Sequence, residues 1–416
     1  MSLRTVLLLF VLAGMLAGQG NPDAAEIGRK AFGLLMAGRY PELVEMFTPE
    51  MRAQLGEERL RRQVGPQMRS LGAVQKIGEP VIEPAGKLKV AVITVKFSTA
   101  TIDWRFTVDP EGKIAGLFFQ PAAGSAGTWD RPPYSHPESF REREITVGEG
   151  AWKLPGTLTF PVNTGGAAPG IVLVQGSGPQ DRDETIGPNK PFRDLAEGLA
   201  SRGIAVLRYE KRTKVYASRM TTMKDLTVEQ ETIDDAVKAA ALLRTEPEIA
   251  SSRVFVLGHS LGGYVAPRIA EKESRLAGLV LMAANVRPLE ALIEDQLQSM
   301  GMSGEDLQKA KVEIMKAVPP AYIEDLRNYN PVETARMLSL PILILQGERD
   351  YQVTLKDFSL WRAGLGDRPN VTFRSFPALN HLFIAGQGRS TPAEYARAGH
   401  VDEAVIEVVA NWVKRR

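Results

Sequence analysis

The chain has 416 residues, of which 44% are hydrophobic and 24% charged. This composition is typical of a soluble globular protein of two or three domains and excludes a disordered or collagen-like chain. The formal net charge is only +2, so the sequence lacks the strongly basic balance of a nucleic-acid-binding protein. The absence of cysteine excludes disulfides, cysteine nucleophiles and thiolate metal sites, and four histidines argue against a multi-histidine metal cluster.

The first twenty residues are typical of a secretory signal peptide. One positive charge, Arg4, precedes the apolar run VLLLFVLA, and the small residues Gly18 and Gly20 follow it. We therefore expect residues 1–20 to be removed and the protein to be exported to the periplasm or the extracellular space. An uncleaved anchor is the alternative, although the apolar run is shorter than a span of ~20 residues. Contact with a membrane is expected only if this segment is retained.

Residues 21–121 predict a small α+β domain. A helical pattern over Pro22–Leu71 is followed by alternating patterns over Lys87–Phe97, Ile102–Val108 and Ile114–Phe119, which predict an antiparallel meander. The arrangement resembles the cone-shaped domains of the nuclear-transport-factor-two-like class. Because such domains often pair through their sheets, the resemblance also implies a homodimer.

Residues 122–139 have the composition of a linker. Glycine, serine and alanine dominate its first half, and Pro132, Pro133 and Pro137 lie in its second half. His136 lies in this stretch, so we expect it to be structural or exposed to solvent.

From residue 140 to residue 416, continuous apolar runs alternate with helical patterns. Apolar runs of this kind are typical of strands buried on both faces, and the predicted strands are Phe140–Val147, Ala151–Phe160, Ile171–Val174, Ile204–Leu207, Val254–Leu257, Leu279–Met282, Leu340–Gln346 and Val371–Phe376. The predicted helices between and after them include Phe192–Ser201, Val228–Leu243 and Val401–Val413. This alternation predicts an α/β fold with a mostly parallel, doubly wound sheet.

A helical cap is predicted between two of these strands, over residues 285–336. The segment and its end carry four methionines, which suit a lid over an apolar acyl pocket because methionine adapts to the shape of its neighbours: Met300, Met302, Met315 and Met337. The alternative is that these methionines fill gaps in a core.

The predicted nucleophile is Ser260, in the sequence Gly258-His259-Ser260-Leu261-Gly262-Gly263. This G-x-S-x-G segment follows a predicted buried strand and precedes a helical pattern, which is the context of a nucleophile elbow. The sharp turn requires flanking positions that are nearly free of side chain, and it exposes the serine hydroxyl at the carboxyl edge of the sheet.

A serine nucleophile needs a base and an acid, which in this type of fold follow it in the order acid, then histidine. Asp350 lies in the loop after the strand Leu340–Gln346, and we favour it over Glu348, which lies closer to the strand end. The loop after the next strand contains His381. The other histidines suit the role less well by position: His136 precedes the sheet, His259 adjoins the nucleophile and points away from it, and His400 lies at a helix start.

The oxyanion of such a reaction needs two backbone N–H donors. We expect one from Leu261, directly after the nucleophile, and the second from the glycine-rich loop 175–179, with Ser177 first and Gly178 next. No Gly-Lys-Ser/Thr follows this loop, which argues against phosphate binding.

These motifs together resemble the α/β-hydrolase superfamily over about two thirds of the chain. GHSLGG at 258–263, GERD at 347–350 and LNH at 379–381 carry the resemblance. GSGPQDRDE at 176–184 and LRYEKR at 207–212 are similar to a bacterial esterase group near the dienelactone hydrolases and the S33-type aminopeptidases, although the relatives often have Asp where this chain has Glu210. A dienelactone hydrolase proper uses a cysteine nucleophile, which this chain lacks.

Two polar segments at the same sheet edge are candidates for the wall of a substrate pocket. They contribute Asp181, Arg182, Arg208 and Tyr209, to which Gly178 of the glycine-rich loop is added. The alternative is that salt bridges between the two segments brace the loops.

The sequence therefore predicts a serine hydrolase of small-molecule carboxylic esters, with no metal or organic cofactor. The same machinery acting as an aminopeptidase or an acyl thioesterase is one alternative, because a triad does not specify its leaving group. An aminopeptidase needs an acid for the free amine, which Glu184 or Glu290 would supply. A non-catalytic ligand-binding or assembly protein on a hydrolase scaffold is the alternative from another class.

Overall fold

A computed structural model describes residues 23–65, 68, 71–98, 101–122, 129–162, 165–220, 222–223 and 225–416. These residues form two compact units, one within 23–129 with the segments 186–188 and 392–398, the other with 130–185, 189–391 and 399–416. The predicted signal peptide, 1–20, lies outside the described residues. Within the ranges above, no helix combines the length and apolar character needed to cross a membrane.

The smaller unit begins with helices and continues with strands, as predicted. Its helices are α1 (Ala24–Met36), α2 (Tyr40–Glu45), α3 (Pro49–Gln54) and α4 (Glu57–Arg59), the last continued by a π-helical turn over Leu60–Val64. Asp23 caps α1 by accepting a hydrogen bond from the Ala25 N–H, and Thr48 caps α3 through the Met51 N–H. Its strands are β1 (Val74–Ile77), β2 (Val81–Ala85), β3 (Leu88–Phe97), β4 (Thr101–Val108) and β5 (Ile114–Pro121).

The strands of the smaller unit form an antiparallel sheet. Its order is β1-β3-β4-β5, with β2 also paired to β3. Trp104 of β4 is fully buried and packs on Phe32 of α1, with ring centroids 5.8 Å apart, so the helix covers one face of the sheet. The sequence patterns missed β1 and β2, because every residue of both strands is exposed and neither shows an alternating apolar face.

The larger unit alternates strands and helices. Its strands are β6 (Phe140–Val147), β7 (Leu154–Pro161), β8 (Ala168–Val174), β9 (Ala205–Tyr209), β10 (Ile249–His259), β11 (Gly278–Met282), β12 (Ile342–Gly347) and β13 (Val371–Phe376). Its helices are α5 (Pro191–Ala200), α6 (Arg212–Val215), α7 (Ala217–Met220), α8 (Asp234–Thr245), α9 (Leu261–Lys272), α10 (Leu289–Ser299), α11 (Gly304–Lys316), α12 (Pro320–Arg327), α13 (Pro331–Met337), α14 (Leu355–Leu365) and α15 (Glu403–Lys414). A π-helical turn, Glu229–Ile233, precedes α8, and 3-10 turns occupy Pro137–Ser139 and Gly150–Trp152. A further 3-10 turn, Pro392–Ala396, belongs to the smaller unit.

The eight strands form one mixed sheet in the order β13-β12-β11-β10-β8-β9-β7-β6. Strands β8 to β13 are parallel to their neighbours in this set, whereas β7 runs antiparallel to both β9 and β6. Apolar clusters cover both faces of the sheet, which confirms the predicted doubly wound α/β fold. The chain order reverses around β8, which lies between β9 and β10, and ligands bind beside such switch points at the carboxyl ends of the strands.

The predicted linker, 122–139, is packed against the larger unit over its described second half. The Tyr134 hydroxyl donates to the Val401 carbonyl at 2.6 Å, and the Ser135 hydroxyl donates to the Glu197 carboxylate at 2.6 Å. The first half, 123–128, lies outside the described residues. Tyr134 and Ser135 are both buried, and composition does not distinguish such a packed segment from a free linker.

Helices α10 to α13 occupy the segment where a cap was predicted. Met302 and Met315 pack against a small cluster formed by Ile293, Leu297 and Leu307, so these two methionines fill gaps between the helices of the segment itself. The Tyr264 hydroxyl of α9 donates to the Leu326 carbonyl, which connects the segment to the helix after the nucleophile elbow. A lid function for this segment stays a prediction.

Candidate active site

The turn at Ser260 joins β10 to α9 in a conformation that few side chains adopt. Its φ of 53° lies in the left-handed region, and its N–H donates to the Met282 carbonyl at 2.9 Å. A Cβ at Gly258 would lie 2.2 Å from the Gly262 oxygen, and one at Gly262 would lie 2.1 Å from the Val174 oxygen. Both glycines are therefore required by close backbone approach. Ser260 is partly exposed although the six residues before it are buried, so a substrate can reach its hydroxyl.

His381 and Asp350 form a buried hydrogen-bonded pair in the loops after β13 and β12. His381 Nδ1 lies 2.7 Å from Asp350 Oδ2, and both side chains are almost completely buried. The carboxylate is fixed in turn by the Gln352 and Val353 N–H groups on Oδ1 and by the Gln346 amide on Oδ2. This arrangement orients the ring and leaves Nε2 for another partner.

Glu348, the competing acid, lies outside this pair. Its carboxylate accepts a hydrogen bond from the Ser375 hydroxyl at 2.7 Å, in an exposed position. The remaining histidines are also engaged elsewhere: His400 Nδ1 lies 3.2 Å from Asp194, and His136 is exposed. The structure thus pairs His381 with Asp350 and not with Glu348, and neither His400 nor His136 contacts Asp350.

The environment of His381 favours the neutral ring. The pKa of His381 is lowered on balance: burial is the largest influence and the neighbouring His259 adds to it, while the charge and hydrogen bond of Asp350 act in the opposite direction. A neutral ring near pH 7 is the form that accepts a proton. In the part of the chain that the structure describes, no hydrogen bond joins Ser260 Oγ to His381, and such contacts are often loose in enzymes without substrate.

His259, the neighbour of the nucleophile, binds a second buried carboxylate. Its Nδ1 lies 2.9 Å from Glu184 Oε2, and its Nε2 lies 2.9 Å from the His381 carbonyl oxygen. Burial lowers the pKa of His259, but the negative charge of Glu184 and the contact with the His381 carbonyl raise it, and the pKa is raised on balance. The imidazole faces the loop that carries His381, and the two rings lie 4.7 Å apart.

The glycine-rich loop after β8 passes directly over the nucleophile. A Cβ at Gly176 would lie 3.2 Å from Ser260 Cβ. The Gly176 N–H donates to Glu184 Oε1 at 2.6 Å, so it is not available to a substrate. Among the described residues, the N–H groups of Ser177 and Gly178 have no backbone or side-chain acceptor. Leu261, the first residue of α9, has no acceptor within its helix and is partly exposed.

The polar segments predicted as a pocket wall brace each other. Arg182 donates to Glu210 and Glu144, and Arg208 pairs with Asp183 and Glu142. Asp181 accepts from two N–H groups of its own loop. Arg208 and Tyr209 are 3% and 2% exposed, and a place for these two in the wall of a substrate pocket stays a prediction. Sequence places both at the sheet edge but does not show that their side chains turn inward.

Two buried charged residues of this region were missed or misassigned in the sequence. Lys211 is 2% exposed, and its Nζ donates to the Gly176 carbonyl at 2.8 Å. Glu184 was a candidate for binding a free amine, but both of its oxygens face Gly176 and His259. Lys211 lies two positions after the buried strand β9, and nothing in the sequence shows that its side chain turns inward. Within the ranges that the structure describes, no group of three or more His, Asp or Glu side chains is placed to hold a metal ion.

Comparison with known proteins identifies the family. Residues 195–400 match the prolyl oligopeptidase family. Over 396 residues, the chain is 41% identical to esterase EstD of Thermotoga maritima, covering 91% of this chain and 92% of that protein. The chain belongs to the α/β-hydrolase esterases. The predicted superfamily is confirmed, and the enzyme is a carboxylic ester hydrolase.

Two solved structures and a second family model also match parts of the chain. An esterase of Pyrococcus furiosus is 16% identical with a TM-score of 0.46, covering 66% of this chain and 91% of that one. An acylaminoacyl peptidase of Pyrococcus horikoshii is 17% identical with a TM-score of 0.47, covering 82% of this chain and 50% of that one. Residues 29–117 of the enzyme match a protein family of unknown function, DUF3887.

Proposed function

We propose that the enzyme cleaves small carboxylic esters through an acyl-enzyme intermediate on Ser260, with His381 as the base and Asp350 as the residue that orients it. The buried His381–Asp350 hydrogen bond of 2.7 Å is the observation that carries this proposal. It fixes the Nδ1 proton and directs Nε2 away from Asp350, in the same strand-end region as the partly exposed Ser260.

The chemistry proceeds in two displacements. Ser260 Oγ attacks the ester carbonyl carbon while its proton passes to His381 Nε2, and the carbonyl oxygen becomes an oxyanion. The carbon–oxygen bond to the alcohol then breaks, and the alcohol leaves with the proton from His381 Nε2. Water attacks the acyl-enzyme with His381 again as base, and the carboxylic acid leaves as Ser260 recovers its proton.

The N–H groups of Leu261 and Ser177 are the proposed oxyanion donors. Both lie beside Ser260, Leu261 in sequence and Ser177 through the loop that packs against the nucleophile. Neither is used by another group of the described chain, whereas the neighbouring Gly176 N–H is used by Glu184. Fixed donors aimed at a developing negative charge lower the barrier without reorganisation.

The acids considered for an aminopeptidase are engaged in other contacts. Glu184 binds Gly176 and faces His259, and Glu290 accepts a hydrogen bond from Arg327 at 2.7 Å. Neither carboxylate is left to recognise a free amine, which favours esters over aminoacyl substrates.

Hydrolysis of p-nitrophenyl butyrate by the enzyme and by Ser260→Ala tests the proposal. We expect a fall in kcat on the order of 10⁶-fold, as for removal of a catalytic serine, with an unchanged circular dichroism spectrum. Aminoacyl p-nitroanilides and acyl thioesters serve as competing substrates. A folded Ser260→Ala variant with wild-type turnover would contradict the proposal, and higher kcat/KM on an aminoacyl substrate would reassign the reaction.

A further inference from the structure

The peptide group between Gly176 and Ser177 is held on its carbonyl side by a buried lysine. Lys211 follows β9, and its ammonium donates to the Gly176 oxygen at 2.8 Å while lying 3.2 Å from Glu231 Oε1. Both charged side chains are buried. A buried lysine is costly unless its charge is paired, and here the pairing is supplied by Glu231 and the Gly176 carbonyl.

Peptide geometry connects this lysine to the oxyanion site. A planar trans peptide directs its C=O and its N–H to opposite sides, and no peptide bond of the described chain is cis. Because Lys211 fixes the Gly176 carbonyl, it also fixes the direction of the Ser177 N–H, which is the proposed oxyanion donor. A cation on the carbonyl oxygen further polarises the peptide and strengthens its N–H as a donor.

The opposite side of Gly176 is held by a separate contact. Its N–H donates to Glu184 Oε1 at 2.6 Å, so neither peptide that flanks Gly176 is free to rotate. The loop is thus fixed by one buried anion and one buried cation, on two different segments of the chain. Such rigidity is what an oxyanion site requires, since misplacing a donor by 1 Å removes most of its effect.

The same lysine is connected to the segment predicted as a cap. Glu231 accepts a hydrogen bond from the Tyr322 hydroxyl of α12 at 2.6 Å, on the oxygen that does not face Lys211. The path from Tyr322 through Glu231 and Lys211 to the Gly176 carbonyl is continuous and buried or half-buried throughout.

We propose that Lys211 is a positioning residue for ester hydrolysis, which aims and polarises the Ser177 N–H through the Gly176 carbonyl, with Glu231 holding the lysine in place. The inference rests on the proposed acyl-enzyme reaction at Ser260. Lys211 touches no reacting atom and acts through the peptide group alone.

The test compares the Lys211→Met variant with the wild-type enzyme. Hydrolysis of p-nitrophenyl butyrate gives kcat and KM. Inhibition by an alkyl trifluoromethyl ketone reports on the oxyanion site, because its adduct with serine places an alkoxide there. We expect kcat to fall about 10- to 100-fold with KM changed less than about 3-fold, since a donor is misaligned rather than deleted. The inhibition constant of the ketone should rise by the same factor as kcat falls. A purely structural role would not shift ketone binding and kcat together at constant KM.

One control variant and one double variant accompany Lys211→Met. Lys190→Met removes another lysine of the region, which pairs with Asp183 at 3.0 Å without touching Gly176, and its kinetics should equal those of the wild type. If Lys211→Met does not fold, the double variant Lys211→Met/Glu231→Gln leaves the site neutral and retains an acceptor for Tyr322. A folded variant with unchanged kcat, or with a reduced kcat but unchanged ketone affinity, would overturn the role of Lys211. Wild-type activity in Ser260→Ala would instead overturn the proposed function itself.

Discussion

His259 and Glu184 form a second buried histidine–carboxylate pair beside His381 and Asp350, with Nδ1 of the imidazole 2.9 Å from Oε2 of the carboxylate. The pair joins two loops of the site, because Glu184 Oε1 accepts from the Gly176 N–H and His259 Nε2 contacts the His381 carbonyl. The residue before the nucleophile therefore connects the proposed oxyanion loop to the loop of the proposed base.

Removing the Glu184 charge should lower the pKa of His259. Burial alone lowers this pKa, and the carboxylate is the main influence that raises it, with Asp350 and the His381 carbonyl contributing less. Glu184→Gln retains an acceptor for the Gly176 N–H but not the charge. Titration of the four histidines by NMR measures the change, with Glu138→Gln, which lies near the exposed His136, as the control.

Glu184→Gln should also reduce the free energy of unfolding, and the reduction should be larger at mildly acidic than at alkaline pH. A histidine whose folded pKa is raised contributes stability that is complete below its unfolded pKa of about 6.5 and is lost as pH rises through the folded pKa. We therefore expect Glu184→Gln to lose more stability at pH 6 than at pH 9 in denaturant titrations. An equal loss at both pH values would contradict the pairing of the charges.

The acid limb of the pH–rate profile should lie below the ordinary range of histidine. The pKa of His381 is lowered on balance, chiefly by burial, although Asp350 raises it, so the ring stays neutral and able to accept a proton at mildly acidic pH. We expect half-maximal kcat/KM below pH 6.5, measured with an ester whose own hydrolysis is slow across pH 4–9. A midpoint above that value would show that the carboxylate dominates.

The nucleophile turn should not tolerate a methyl group. Gly262→Ala would place Cβ 2.1 Å from the Val174 oxygen, so β8 and α9 must separate and displace Ser260 together with the Leu261 N–H. We expect at least a 100-fold loss of kcat/KM, by analogy with the cost of a 1 Å misplacement. The control is Gly33→Ala in α1, where a Cβ meets nothing within 4 Å and the smaller unit should gain about 0.5–1 kcal/mol.

The buried pair Arg212–Asp235 should matter more for stability than an exposed pair. The Arg212 Nε donates to Asp235 Oδ2 at 2.8 Å, and both side chains are nearly completely buried. Arg212→Ala leaves a buried carboxylate without its cation, which costs about 3–5 kcal/mol of unfolding free energy. Lys316→Ala, which breaks an exposed pair with Glu313, should cost at most about 1 kcal/mol. Urea titrations of both variants measure the difference, and equal midpoints would contradict it.

Sequence predicted the features that are local or set by chain order. The G-x-S-x-G segment specifies a turn through the steric demands of its own glycines, and these demands are met at Gly258 and Gly262. Asp350 and His381 were found because parallel strands end at one edge of a sheet, so the loops after β12 and β13 are neighbours.

Contacts between distant segments and the directions of side chains were not predictable. Lys211 and Gly176 are 35 positions apart, and nothing in either segment indicates that the ammonium turns inward to the carbonyl. The position of Arg208 at the sheet edge suggests an exposed side chain, but its guanidinium is buried and paired with Asp183 and Glu142. Strands β1 and β2 were not predicted, because every residue of both is exposed and their sequences show no alternation of apolar and polar residues.

The most direct test of the account is to identify the residue that reacts with a fluorophosphonate. The enzyme is labelled to completion, digested and analysed by mass spectrometry, in parallel with Ser260→Ala. We expect one adduct, on the peptide that carries Ser260, with ester hydrolysis lost in proportion to labelling and no adduct on Ser260→Ala. An inert enzyme, or an adduct on another residue such as Ser177 that accompanies loss of activity, would contradict it.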